Sequence, residues 1–265
     1  CATYANAVFD NYESMNSLSL MLGAIYFAFQ IYGDFSGYSD IALGTSKLFG
    51  IDLLKNFNYP YFSRDIAEFW RRWHISLSSW FRDYLYIPLG GSQGGMWMKV
   101  RNTFIIFLVS GFWHGANWTF IIWGLLNAIY FLPLLLQNKN RSNMGEIEMG
   151  WDFNSVKTIL NILGTFVLTT IAWIFFRAKS ISEAIGYIQK MVTDFHFNTQ
   201  YLNNERYNIE LLLLILVFVG VEWFNRSKVE PLSGKSSWIK VTLAIMALLA
   251  LGVYSDYKEF IYFQF

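Results

Sequence analysis

The sequence predicts an all-α, polytopic transmembrane helical bundle with re-entrant or interfacial helices. Three observations predict it. Hydrophobic residues make up 54% of the 265 and aromatic residues 20%, with only 15% charged; soluble domains carry about 25% charged residues. The charges gather in 52–101, 137–157, 177–210 and 222–240 and leave long apolar gaps. Several gaps supply the roughly 20 mostly apolar residues that a lipid-crossing helix needs.

Residues 18–32 are apolar and end at Gly33-Asp34-Phe35-Ser36-Gly37, which reads as a membrane helix with a broken end. Residues 38–50, with Asp40, Gly44 and Gly50, are too short and polar to cross alone. They predict a re-entrant or interfacial segment, because irregular backbone at membrane depth has to be buried in protein. In 61–90, Arg64, Arg71, Arg72 and Arg82 alternate with aromatic residues. Phe69, Trp73, Leu77, Trp80 and Tyr84 make an apolar stripe at helical spacing. Ser63-Arg64-Asp65 offers an N-cap, and Pro88 with Gly90-Gly91 a stop. One basic, aromatic amphipathic helix at an interface or against the bundle is predicted. The run Gly90-Gly91-Ser92-Gln93-Gly94-Gly95 lacks the lysine and spacing of a phosphate-binding loop.

Residues 102–116 and 118–136 predict a helix pair that meets near Gly115-Ala116-Asn117. A polar connection over 137–154 leads to a span over 156–176, closed by Arg177 and Lys179. An amphipathic helix over about 181–192 and a polar loop at 196–208 follow, and 209–224 and 237–254 are the last spans. The total is about six spans, with no internal repeat. Six basic residues in 64–101 favour a cytoplasmic position for that region. Arg177 and Lys179 lie three spans later and then fall on the other side.

A net charge of +1 gives no nucleic-acid signal. Cys1 is the only cysteine, so no intrachain disulfide or cysteine metal cluster forms within the chain. The chain opens on Cys1-Ala2-Thr3 without methionine or signal peptide. We read it as the C-terminal part of a longer membrane domain.

His74 and His114 carry the chemical interest. An ionisable group in an apolar membrane run is a functional-site hypothesis by default. No charged residue lies between Arg101 and Lys139, so His114 is the clearest case. Gly115-Ala116-Asn117 allows a helix break beside its ring, and Trp113 and Trp118 can wall a pocket. A neutral imidazole there can act as general base; the alternative is a packed histidine bonded to a backbone carbonyl. His74, with Ser78 one turn on, reads either as functional or as an interfacial anchor. Asp34 and Asp40 can orient a histidine, pair with nearby arginines or face water. Glu222 lies near the end of its span, within reach of Arg226. A metal held by His74 and His114 needs a third ligand that the sequence does not identify. No Gly-x-Ser-x-Gly elbow is present.

The runs Gln30–Ala42, Phe69–Gly91 and Gly111-Phe112-Trp113-His114-Gly115-Ala116 resemble motifs of the membrane-bound O-acyltransferase family. The bacterial branch of the alginate O-acetyltransferase membrane subunit is the most similar, and Phe260–Phe265 resembles its C-terminus. The resemblance implies helices around a tunnel, with His114 inside it and His74 as the second site histidine. Trp113, Asn117, Trp118, Asp34, Asp40, Ser78, Arg71 and Arg72 are candidates for its lining. It implies an acetyl thioester donor (acetyl-CoA or an acyl carrier) on the cytoplasmic side and no bound cofactor or metal. It also implies a glycan acceptor, a periplasmic or surface acetyltransferase partner, and a place in the bacterial inner membrane. D-alanyl transfer to teichoic acid belongs to the same superfamily. A proton-relaying transporter or a scaffold for a soluble enzyme are the non-catalytic alternatives.

Overall fold

A computed structural model describes residues 1–147, 153–195, 208–228, 234 and 236–252. Among them every regular element is helical and there are no strands. Helices α1 (Ala2–Asp10) and α2 (Ser17–Leu48) come first. The Asn16 side chain caps α2 by accepting a hydrogen bond from the Ser19 backbone N–H, so one of the N–H groups a helix start leaves unpaired is satisfied. From there α2 runs unbroken for 32 residues. The break expected at Gly33–Gly37 is absent, and the segment expected to be re-entrant continues the helix to Leu48. Glycine weakens a helix by only about 1 kcal/mol against alanine, and no proline interrupts this stretch.

The basic aromatic segment is not one helix. A 3-10 turn (Pro60–Phe62) precedes α3 (Ile66–Arg72) and α4 (Ile75–Phe81), and a π-helical turn over Arg82–Tyr86 extends α4. The two helices part at Trp73, which is extended (φ −104°, ψ 128°), and His74, which is left-handed (φ 43°, ψ 57°). Asn56 makes the break possible. Its backbone carbonyl accepts from the Ile75 N–H at 3.0 Å. Its side-chain oxygen accepts from the Ser76 N–H at 3.2 Å and the Ser76 hydroxyl at 2.6 Å. The N-terminus of α4 thus gains partners that a continuous helix would have supplied. The stripe splits as a result: Phe69 and Trp73 are buried, whereas Trp80 and Tyr84 are exposed.

Helices α5 (Gly95–His114) and α6 (Trp118–Leu136) form a tight antiparallel hairpin. Then come α7 (Phe153–Arg177), α8 (Ile181–Thr193), α9 (Asn208–Asn225) and α10 (Ser237–Leu251). Among the described residues, α2, α6 and α7 are long and apolar enough to cross a membrane, and α9 and α10 are apolar but shorter. In α5 the first two turns carry Lys99 and Arg101, which confines its apolar stretch to the remainder. His196, the polar loop expected at 196–208 (apart from Asn208) and the C-terminal Phe260–Phe265 lie outside the described residues.

Two tyrosines tie the bundle to α2. Tyr61 donates its hydroxyl to the Ala28 carbonyl at 2.6 Å, and Tyr187 on α8 donates to that of Leu20 at 2.7 Å. The bundle has one strongly basic end. Arg71 donates to the carbonyls of Asn140 and Asn143, and Arg64 to that of Gly145. These bonds place α3 beside the connection between α6 and α7. Arg177 and Lys179 lie at the other end of α7, where Arg177 donates to Asn6 and Lys179 pairs with Asp10. The two stray cations therefore have partners of their own.

Glycine sets the spacing of the α5–α6 hairpin. A Cβ at Gly111 would stand 2.3 Å from the Phe120 carbonyl oxygen, and one at Gly124 2.3 Å from that of Phe107. Alanine at either site should lower stability by about 1–3 kcal/mol through overpacking, seen as a lower melting temperature of the detergent-solubilised protein. Gly164→Ala, where no atom lies within 4 Å of the added carbon, should be neutral or stabilising. Equal melting temperatures for all three would disprove the backbone contact.

Candidate active site

Two chain breaks bring the histidines together. His114 is the last residue of α5, and Gly115 turns the chain away with φ 156°. A Cβ on Gly115 would stand 2.8 Å from the Phe120 ring, so glycine serves both the turn and the contact. The His114 ring meets Trp123 edge-on at 5.1 Å and Phe176 at 4.9 Å. His74 begins α4 in its left-handed conformation, with its ring 4.6 Å from that of Phe35. Its Nδ1 is buried without a hydrogen-bond partner. Burial pulls the His74 imidazole down to about 4, so the ring is neutral at physiological pH.

Both imidazoles line one cavity of about 330 Å³. Trp70, Trp73, Trp123, Trp173 and Phe107 supply apolar walls, and Ser78, Thr103 and Ser110 add hydroxyls. The cavity reaches Arg71, Arg82, Asn140 and Arg141 at the basic end of the bundle. It therefore joins an aromatic chamber holding two imidazoles to a cationic rim. Among the described residues no group of three or more His, Cys, Asp or Glu side chains is placed to hold a metal ion.

The remaining candidates fall into three positions. Arg71 and Ser78 line the histidine cavity. Ser78 does not bond to the His74 side chain; its hydroxyl donates to the Trp73 carbonyl at 3.4 Å. Trp113 meets both imidazoles edge-on, 4.9 Å from His114 and 6.5 Å from His74, yet is 53% exposed. The other five lie elsewhere. Asn117 caps α6, donates to the Lys179 carbonyl at 3.0 Å, and with Trp118 borders a separate cavity of about 640 Å³. The turn after His114 carries both residues past the chamber. Asp34 and Asp40 are exposed on α2. Arg72 turns to Glu68 and the Asn58 carbonyl.

Glu68 escaped the sequence reading. Its carboxylate is only 2% exposed and pairs with Arg64 at 2.9 Å and Arg72 at 2.8 Å. Burial alone would raise this carboxyl; hydrogen bonds from Arg64 and the charges of Arg72 and Arg64 outweigh burial and hold it below the usual range. Spacings of four residues to both arginines were the available signal. Ser110, four residues before His114, was also missed.

The model of the MBOAT, membrane-bound O-acyltransferase family matches residues 9–168. The chain is 39% identical over 228 residues to the probable alginate O-acetylase AlgI of Pseudomonas aeruginosa, covering 82% of this chain and 41% of that protein. It is 35% identical to the peptidoglycan O-acetyltransferase of Helicobacter pylori, covering 100% of this chain and 53% of that protein. It is 43% identical over 116 residues to the teichoic acid D-alanyltransferase of Streptococcus thermophilus, covering 41% and 28%. The chain spans about half the length of the curated relatives it matches.

Removing the Glu68 carboxylate by Glu68→Ala leaves two arginines without their counter-ion and should cost about 3–5 kcal/mol, read as a drop in melting temperature. The pH dependence has a definite sign. A carboxyl lowered in the fold stabilises fully above its unfolded value of about 4.3 and loses that contribution as pH falls through its folded value. The advantage of wild type over Glu68→Gln should therefore shrink below about pH 4. A gap that stays constant from neutral to acid pH would contradict this.

Proposed function

The chain belongs to the membrane-bound O-acyltransferase family, and we propose that the protein moves an acetyl group from a cytoplasmic thioester to hydroxyls of an extracytoplasmic polysaccharide. On this reading it works in the bacterial inner membrane, with acetyl-CoA or an acyl carrier as donor. A periplasmic or surface acetyltransferase completes delivery to the glycan. The observation that carries the reading is the single aromatic chamber lined by His74 and His114.

The chemistry follows from that chamber. His114 takes the proton from the attacking hydroxyl as its oxygen meets the thioester carbonyl. It returns the proton to the departing thiolate. His74 is neutral and presents an unpartnered Nδ1, so it can orient the donor or share in proton transfer. The tryptophan walls keep bulk water from the thioester and so suppress its hydrolysis. The cationic rim of Arg82 and Arg141 supports entry of a phosphate-bearing donor from that side. The excess of basic residues at that end supports its cytoplasmic placement. D-alanyl transfer is the second reading and uses the same acyl chemistry. It is supported by relatives that match 41% and 58% of the chain, against 82% and 100% for the two O-acetylating relatives.

The deciding measurement is ester-linked acetate on extracted surface glycan, in native cells, for the full-length protein at matched expression. His114→Ala should lower the rate by about 10²–10⁴-fold, the usual contribution of a general base. Wild-type acetate in the variant would remove His114 from the mechanism and favour the transporter or scaffold alternatives. Ester-linked D-alanine in place of acetate would select the second reading.

A further inference from the structure

Every hydroxyl that lines the histidine chamber can be traced to a partner, except one. Ser78 donates to the Trp73 carbonyl and Thr103 to that of Lys99. Tyr86 and Ser92 bond to each other at 2.9 Å, and Ser92 is exposed. Ser110 is 94% buried and lines the chamber, yet its hydroxyl has no hydrogen-bond partner among the described residues. It precedes His114 by four residues in the same helix, which ends at His114. That spacing puts the two side chains on one face, with Cβ atoms about 5–6 Å apart. The Ser110 side chain borders the chamber, so a small reactant held between Ser110 and His114 can accept its hydrogen bond.

We propose that Ser110 is a catalytic residue whose hydroxyl donates a hydrogen bond to the thioester carbonyl oxygen as that oxygen becomes negative. This rests on the acyl-transfer reading above. In the step, the acceptor oxygen bonds to the carbonyl carbon and its proton passes to His114. The carbonyl π pair moves onto the oxygen, where the Ser110 O–H meets it. The pair then returns to carbon, the carbon–sulfur bond breaks, and the thiolate takes the proton from His114. Ser110 is neither acylated nor deprotonated. It acts as a donor aimed where charge develops, and removal of one such donor typically costs about 10²–10³ in rate.

The test compares Ser110→Ala, Ser110→Thr and His114→Ala in the full-length protein in native membranes. It reads the initial rate of ester-linked acetate formation per mole of protein, together with the melting temperature in detergent. The expected result is a loss of about 10²-fold for alanine with an unchanged melting temperature, and partial recovery with threonine, which keeps the hydroxyl. A wild-type rate for Ser110→Ala, with His114→Ala inactive, overturns the role of Ser110 and leaves the acyl-transfer reading intact. Equal loss in the alanine and threonine variants, or a loss that tracks a lower melting temperature, also overturns it. Full activity in His114→Ala instead overturns the underlying reading.

Discussion

The close approach of α5 and α6 is the constraint on which the site depends. Gly111 and Gly124 let each helix set its backbone against a carbonyl of the other. Any side chain there would part the helices. The same two helices carry His114, Ser110, Phe107 and Trp123 into the chamber. In a bilayer the lipid is as apolar as the helix surface, so van der Waals packing of small residues takes over much of the role that water expulsion plays elsewhere. The glycine of Gly111-Phe112-Trp113-His114 therefore has a spacing role distinct from the chemistry proposed for the histidine that follows it.

Much of the architecture was legible in the sequence because it follows from composition and run length. The apolar stretches that became α6 and α7 announce themselves by the absence of charge. The error over α2 came from treating Gly33 and Gly37 as breaks; in a long helix their modest cost is absorbed. The error over 61–90 had the opposite cause. Periodicity cannot reveal a two-residue interruption stabilised from elsewhere, and Asn56 lies outside the stripe it divides. His74 and His114 stood out because ionisable groups in apolar sequence are rare. Glu68 did not, because an acid flanked by arginines reads equally well as a wet surface pair. Asn117 and Trp118 are neighbours of His114 along the chain, but one sharp turn takes them to another cavity.

The distribution of charge gives the bundle two unlike ends. At one, Arg71 of α3 and Arg64 just before it hold the connection between α6 and α7 through backbone carbonyls, and further cations rim the chamber. At the other, Arg177 and Lys179 meet side chains of α1. The buried Glu68 lies at the basic end and limits its mutual repulsion. Without that acid, Arg64 and Arg72 would lose the carboxylate that both of them pair with. The segment bearing His74 is thus held by electrostatics on one side and by Asn56 on the other.

The left-handed backbone of His74 carries a consequence for genetics. At φ 43° asparagine and glycine are tolerated far better than β-branched residues. Valine or threonine would remove the imidazole and disturb the start of α4 at once. Loss of function in such a variant would not distinguish chemistry from folding. Asparagine and glycine separate the two, since both accept the turn and neither can shuttle a proton. On the proposed mechanism, the alleles tolerated at this codon should therefore be filtered twice, once by shape and once by reactivity.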